Sequence, residues 1–510
     1  MQKKITRRSF MKAASISAAA LLATGCSAAS GSASAAPAAA PADTQVPAVP
    51  KYIFLFIGDG CGQTQIQIAN YYQGAVNRGG VVSEPLCFLS FPCVGSVTTY
   101  DSTSFCPDSA STATSIATGH KTHSGVINMD PETRTQPYDT ISEKLHRQLG
   151  YKVGVISTVN MNHATPAAFY AHQASRKNYY AIGEELCASG FEYFAGGAFL
   201  DPTGAEKDQT DILERAAQAG YNVVTTRAGA EALSAGAGNT LIVAETVADG
   251  DAMNYAMDAA EGEWQFTDYV KKGIELLDND TGFFLMAESG KIDWACHAND
   301  AAASIHDVIE MGNAVSAALD FYSRHKDETL ILVTADHETG GLTIGYAATN
   351  YDTFLDSLAR QTISYAKFDT DYVAGYIAGQ PPFADSMADV KACFGLTLPT
   401  DPDASADDVL TLTEWEAEQL EYAYRRTLET GAAAQADMTQ ADYEKFGTYQ
   451  PFSMEICHQI ARKSGVGHTT YAHTGAPVAL YAIGCGAEQF NGAYDNTEIY
   501  KKLAALTGVE

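Results

Sequence analysis

Five short apolar runs constrain this chain more than anything else in it. "KYIFLFIGDG", "YKVGVIST", "GFFLMAES", "TLILVTADHE" and "VALYAIG" are dense in β-branched and aromatic residues and too short for typical helices. Several of them stop at an acid or a histidine: Asp59, Glu288, Asp336 and His337. Continuous apolar runs of this length read as strands buried on both faces. Between them lie amphipathic stretches such as "YDTISEKLHRQLG" and "ASIHDVIEMGNAVSAALDFYSRH". The alternation predicts an α/β fold, a large and mainly parallel central sheet with helices on both faces. In such sheets ligands sit beyond the carboxyl ends of the strands, where these polar residues fall.

The flanks of that pattern set the domain boundaries. Residues 1–26 read as a twin-arginine export signal: a basic start, Arg7 and Arg8, then an apolar run over 13–23 too short to span a bilayer. The run ends at "LLATGC". Two readings stay open there: a membrane lipid anchor on Cys26, or cleavage among the small residues that follow. Either places the protein in the cell envelope, periplasmic or anchored outside the membrane. Residues 27–50 form an Ala/Ser/Pro-rich linker, and 51–510 the folded domain. Within it, about 351–451 breaks the rhythm. That segment is acidic ("DPDASADDV") and contains one clear helix, "TEWEAEQLEYAYRRTL", opened by a Thr413/Glu416 capping box. It reads as an insertion, lid-like by position.

Charge narrows the partners. The 61 acidic residues against 32 basic ones give a formal net of −29, which argues against a nucleic acid held through its phosphates. An anionic substrate would need a strong local positive field, and bound metal ions supply one. The ten cysteines show no CxxC spacing, so neither a disulfide framework nor a zinc ribbon is indicated.

"PDSASTAT" places Asp108 and Ser109 ahead of nothing larger than threonine. Alone it reads as a capped start to a closely packed helix. Elsewhere His163 and Thr165 sit in "NHATP", Arg176 in "ASRK", Asp293 and His297 in "ESGKIDWACH", and His473 opens "HTGAPV". Any one histidine is more often a core or surface residue than a ligand. Together with Asp59, Glu288, Asp336 and His337 they gather at expected sheet edges. Oxygen and imidazole donors without thiolates suit catalytic zinc, and magnesium where oxygen dominates.

In order along the chain, "GDG", "DSASTAT", "NHATPAA", E-x-x-x-x-D-x-x-x-H, "TADHETGG" and "HTG" resemble the alkaline phosphatase family. The resemblance covers about 51–346 and 452 to the end; the insertion between is unmatched in detail. It implies a phosphate monoester hydrolase that acts through a phosphoserine and releases inorganic phosphate. Ser109 is implied as nucleophile and Arg176 as the clamp on two phosphate oxygens. Asp293, His297 and His473 would hold one Zn2+; Asp59, Asp336, His337 and the Ser109 oxygen a second. Asp59 would bridge to one Mg2+ also held by Thr165 and Glu288. Asp108, His163 and Trp294 would line the substrate site, and a homodimer is a further expectation. The chemistry agrees with these roles. A metal lowers a serine's pKa, two ions clamp an in-line displacement, and a guanidinium matches phosphate bidentately.

Three departures stand out. His163 replaces the aspartate some members carry near magnesium. Trp294 replaces a lysine or histidine, and Cys106-Pro107 replaces an aliphatic lead-in. The alternatives are a phosphodiesterase or sulfatase of the same superfamily, or a phosphate- or metal-binding lipoprotein without turnover. No formylglycine motif surrounds Ser109, which disfavours the sulfatase.

Overall fold

The computed structural model describes residues 49–431 and 438–510. Residues 1–48, with the expected export signal, Cys26 and nearly all of the expected linker, lie outside the described residues. Ten strands form one sheet, in the order β14-β2-β13-β8-β1-β7-β3-β4-β6-β5. They are β1 Tyr52–Gly58, β2 Cys93–Thr98, β3 Lys152–Asn160, β4 Tyr193–Gly197, β5 Asn222–Val224, β6 Thr240–Val243, β7 Phe283–Ser289, β8 Thr329–Ala335, β13 Val478–Gly484 and β14 Gly492–Asp495. Four two-residue strands lie outside it: β9 Glu338–Thr339, β10 Thr343–Ile344, β11 Val466–Gly467 and β12 His473–Thr474.

Every residue of β1, β7 and β8 is buried, so both faces of the sheet centre are covered, as the unbroken apolar runs require. The helices Phe266–Leu277 and Ala301–Arg324 supply part of that cover. Phe54, Phe56, Phe283 and Phe284 are fully buried between the layers. Truncating one such phenylalanine to alanine typically costs about 3–5 kcal/mol.

Register builds the site. Ile57 of β1 lies opposite Glu288 of β7 and Thr334 of β8, and Glu288 also lies opposite Ser157 of β3. Asp59, Glu288 and Asp336 therefore leave three adjacent strands at one level, on strands about 4.8 Å apart. A further pairing sets His473 of β12 opposite Thr339 of β9, which brings the "HTG" segment back onto "DHET".

"VALYAIG" is a strand, but β13 runs antiparallel to both its neighbours, β2 and β8. The chain has already reached the carboxyl edge of the sheet at His473, so the next strand must run away from it. Apolar composition reports burial and not direction. Residues 351–451 hold the expected capped helix, Glu414–Thr430 with the Thr413/Glu416 box. They also hold Phe383–Phe394, Gln440–Phe446 and several short turns of helix. Leu358, Phe368, Phe394 and Tyr424 of this segment join the same core as the sheet. Among the described residues, no helix is long and apolar enough to cross a membrane.

Candidate active site

Asp59 follows β1 directly, in a turn whose next position, Gly60, has no room for a side chain. Gly60 has φ +67°, and a Cβ there would lie 2.9 Å from Asp293 Oδ1 and 2.8 Å from Thr339 Oγ1. "GDG" is thus the sequence of a strand end pressed against the neighbouring loops.

Ser109 begins the helix Ser109–Thr118, all ten residues of which are buried. Small side chains let it pack this closely. Asp108 is the N-cap, accepting from Ser111 N at 3.1 Å, and its other oxygen accepts from Arg176 Nη1 at 2.9 Å. Burial opposes ionisation of Asp108, yet the Arg176 charge holds its carboxyl below the usual range.

Ser109 Oγ lies 3.2 Å from His337 Nε2. That nitrogen is also 3.1 Å from Asp336 Oδ2 and 3.4 Å from Asp59 Oδ1. The ring's other nitrogen fixes the tautomer. Thr339 Oγ1 gives its hydrogen to Asp293 Oδ1 at 2.6 Å, so at 3.2 Å from His337 Nδ1 its oxygen accepts. The hydrogen of neutral His337 therefore sits on Nδ1, and Nε2 turns a bare lone pair toward two carboxylates.

A second cluster repeats the arrangement. His297 Nδ1 donates to Tyr471 O at 2.6 Å, and His473 Nδ1 to Pro107 O at 2.5 Å. Their Nε2 atoms face each other across 3.0 Å. Asp293 lies 3.3 Å from His297 Nε2 and 3.7 Å from His473 Nε2. Asp293 and His297 fall one helical turn apart on the short helix Lys291–His297. The His337 and His473 rings stack at 3.6 Å and tie the two clusters together.

Beside these, Asp59 Oδ2 accepts from Thr165 Oγ1 at 3.1 Å, and Glu288 Oε2 accepts from Ser157 Oγ. The remaining oxygens, Asp59 Oδ1 and Glu288 Oε1, are buried without a hydrogen-bond partner. Orphaned carboxylate oxygens in a group of acceptors are costly unless a cation joins them. Burial and the mutual repulsion of these carboxylates act on their protonation as well. Burial, then the charge of Asp336, pushes Asp59 well up; burial and Asp59 do the same to Glu288. Burial and Asp293 push Asp336 to about 8. Burial lowers His337 to about 4 and His473 to about 3. For His297 burial is outweighed by Asp293, which raises it to about 9. The donor set fits divalent cations: Asp293, His337 and His473 form one group able to hold an ion, and Asp59, Asp336 and His337 another.

Ser109, Asp293, His297 and His473 open onto a cavity of about 330 Å³ whose other walls are His163, Arg176, Trp294, Tyr365 and Tyr449. Arg176 Nη2 donates to His163 Nε2 at 3.2 Å, and burial, reinforced by Arg176, lowers His163 to about 3. A neutral ring thus stands where an aspartate was one alternative. All thirteen residues singled out from sequence meet in this region through the contacts above.

Sequence reading missed Thr339, Tyr365, Tyr449 and the Tyr471 and Pro107 carbonyls. Thr339 lies inside "TADHETGG" and was within reach. The two tyrosines belong to 351–451, which carries no motif.

The profile of the family described as alkaline phosphatase matches residues 50–195 and 193–509. The chain belongs to the alkaline phosphatase family. The match runs through 351–451, which the sequence motifs had left outside. Alkaline phosphatase 4 of Bacillus subtilis is 29% identical over 475 residues, 90% of this chain and 88% of that one. Alkaline phosphatase 3 of the same organism is 30% identical over 463 residues, 89% and 88% of the two chains. The crystal structure of a cold-active alkaline phosphatase from Shewanella sp. superposes with a TM-score of 0.71 at 27% identity, covering 89% of this chain and 99% of that one. The Thermus thermophilus enzyme, at 23% identity and a TM-score of 0.73 over 91% and 93% of the chains, shares the fold. The chain is a hydrolase of this family, with residues suited to metal binding beside the cavity at Ser109.

Proposed function

We propose that the protein hydrolyses phosphate monoesters in two displacements through a phosphoserine on Ser109. The observation that carries this is the position of Ser109 Oγ, 3.2 Å from the bare Nε2 of His337 and beside the Asp59–Asp336 carboxylate pair. That places the hydroxyl at the edge of a donor group suited to a divalent cation, and such an ion would lower the serine's pKa.

Divalent cations held by these clusters would supply positive charge that stabilises a serine alkoxide and the charge developing on the phosphoryl and leaving-group oxygens. The reading assigns Asp293, His297 and His473 to one Zn2+, and Asp59, Asp336 and His337 to a second. Asp59, Thr165 and Glu288 are assigned to one Mg2+. A histidine-to-aspartate mutant of TAB5 alkaline phosphatase with the same fold, 23% identical, was solved with Mg bound in its M3 site.

The chain's own groups do the rest. The backbone N–H groups at the start of the Ser109–Thr118 helix point their dipole at the incoming phosphoryl group. Arg176 opens onto the same cavity and is oriented by Asp108 and His163. Its remaining donors suit the free oxygens of a monoester, and a diester offers fewer. Ser109 attacks phosphorus and expels the alcohol; water then cleaves the phosphoserine and releases phosphate. Twin-arginine export is part of the same reading, with either lipidation at Cys26 or cleavage beyond it, and would put the reaction in the cell envelope.

The test is hydrolysis of aryl phosphate monoesters and diesters by the purified protein, with and without chelator. Monoester turnover at least about a hundred-fold faster, and lost with the metal, is expected. Equal rates on both would overturn the monoester reading.

A further inference from the structure

Lys291 is fully buried, with a side-chain exposure of 0%, two residues before Asp293 and outside every role assigned so far. Its Nζ donates to Asp249 at 2.7 Å. It also lies 3.9 Å from the centroid of the Tyr255 ring and 4.6 Å from that of Trp294. Burying an ammonium is expensive, so this one must be answered by the groups around it. Asp249 answers the charge directly, Asp307 and Asp258 act on it from further off, and the Tyr255 and Trp294 rings stand over it.

The Asp249 turn reaches Trp294 by a second route. Gly250 has φ +62°, and a Cβ there would come within 3.1 Å of the far edge of the indole. The Gly250 carbonyl is held by Asn160 Nδ2 at 2.8 Å, so the turn is anchored to the end of β3. Trp294 is thus gripped by Lys291 and by the backbone of Gly250. It meets His163 in a T-shaped contact at 6.1 Å, and His163 accepts from Arg176.

The geometry points to Lys291 as a positioning residue: with the Asp249–Gly250 turn it forms a clasp that fixes Trp294, and through Trp294 the His163–Arg176 pair that receives phosphate. This rests on the phosphomonoesterase reading for its kinetic consequence and not for its structural one. An ordinary buried ion pair would stabilise the fold and leave phosphate affinity alone. A clasp acts on phosphate affinity, and only while Trp294 is present.

The experiment is a double-mutant cycle on the metal-loaded full chain with Lys291→Met and Trp294→Ala. Lys291→Met should raise KM for an aryl phosphate, and the inhibition constant of inorganic phosphate, by about five- to ten-fold. The change in kcat should stay within about two-fold. In the Trp294→Ala background the same substitution should add nothing further. Full additivity, or an unchanged KM in Lys291→Met, would overturn the clasp.

Tryptophan emission gives a readout independent of turnover, because the chain has three tryptophans. Lys291→Met should shift the emission, and Trp294→Phe should abolish that shift. A wild type that binds phosphate without hydrolysing monoesters would sink the functional reading, while the emission test would still decide the clasp. Should Lys291→Met fail to fold, Asp249→Asn and Gly250→Ala carry the same expectations, since the first releases Lys291 and the second drives a methyl group against the indole. Unaltered emission and KM in both would overturn it equally.

Discussion

The Nε2 atoms of His297 and His473 face each other at 3.0 Å, and each ring has committed its other nitrogen to a backbone carbonyl. Two lone pairs at that distance, with Asp293 beside them, need a proton or a cation between them. Chelation should therefore lower the melting temperature as well as activity, and zinc with magnesium should restore both. For a site saturated at a thousand times its dissociation constant, linkage gives about 4 kcal/mol. Calorimetry with and without chelator checks this, and an unchanged melting temperature would count against bound cations.

Arg176 is held in a plane by Asp108 and His163, so its value lies in geometry as well as charge. Arg176→Lys keeps the charge and loses the fork. We expect kcat/KM to fall by about ten- to hundred-fold, mostly through KM, in steady-state assays. Wild-type kinetics in the lysine variant would show that point charge alone suffices.

Asp108 both caps the nucleophile's helix and pairs with Arg176. Asp108→Ala should destabilise the fold by about 1 kcal/mol. Asp108→Asn keeps an acceptor for Ser111 N and should cost less. Urea denaturation of the pair separates the cap from the charge.

Away from the metal clusters, His172 lies 3.4 Å from both Glu143 and Glu185. Burial opposes its charge, but the two carboxylates raise it to about 10, against about 6.5 in an unfolded chain. A raised value means stability fully present below about 6.5 and lost as pH climbs through 10. His172→Gln should thus melt well below wild type at pH near 6, with the gap closing by about pH 10. A gap that is constant with pH would contradict the assignment.

The parts of the fold legible in the sequence were those where burial alone decides composition. β1, β7 and β8 are buried along their whole length and read as unbroken apolar runs. β2 alternates buried and exposed residues, and β5 has three residues, none fully buried; neither leaves such a trace. The ligand-type side chains were legible because each follows a strand or opens a short motif. The tautomers of His297 and His473 were not, since they depend on the carbonyls of Tyr471 and Pro107, and a backbone group has no letter. Tyr365 and Tyr449 were hidden for a related reason: only the folding of 351–451 onto the core brings them to a cavity built around Ser109.

The central claim is that Ser109 itself takes the phosphoryl group. Acid quench of the metal-loaded protein during turnover of an aryl phosphate, followed by peptide mass spectrometry, tests it most directly. The account predicts one added phosphoryl group on the peptide carrying Ser109, and none in Ser109→Ala, which should be inactive. Steady turnover with no adduct on that peptide, or undiminished turnover in the alanine variant, would contradict it.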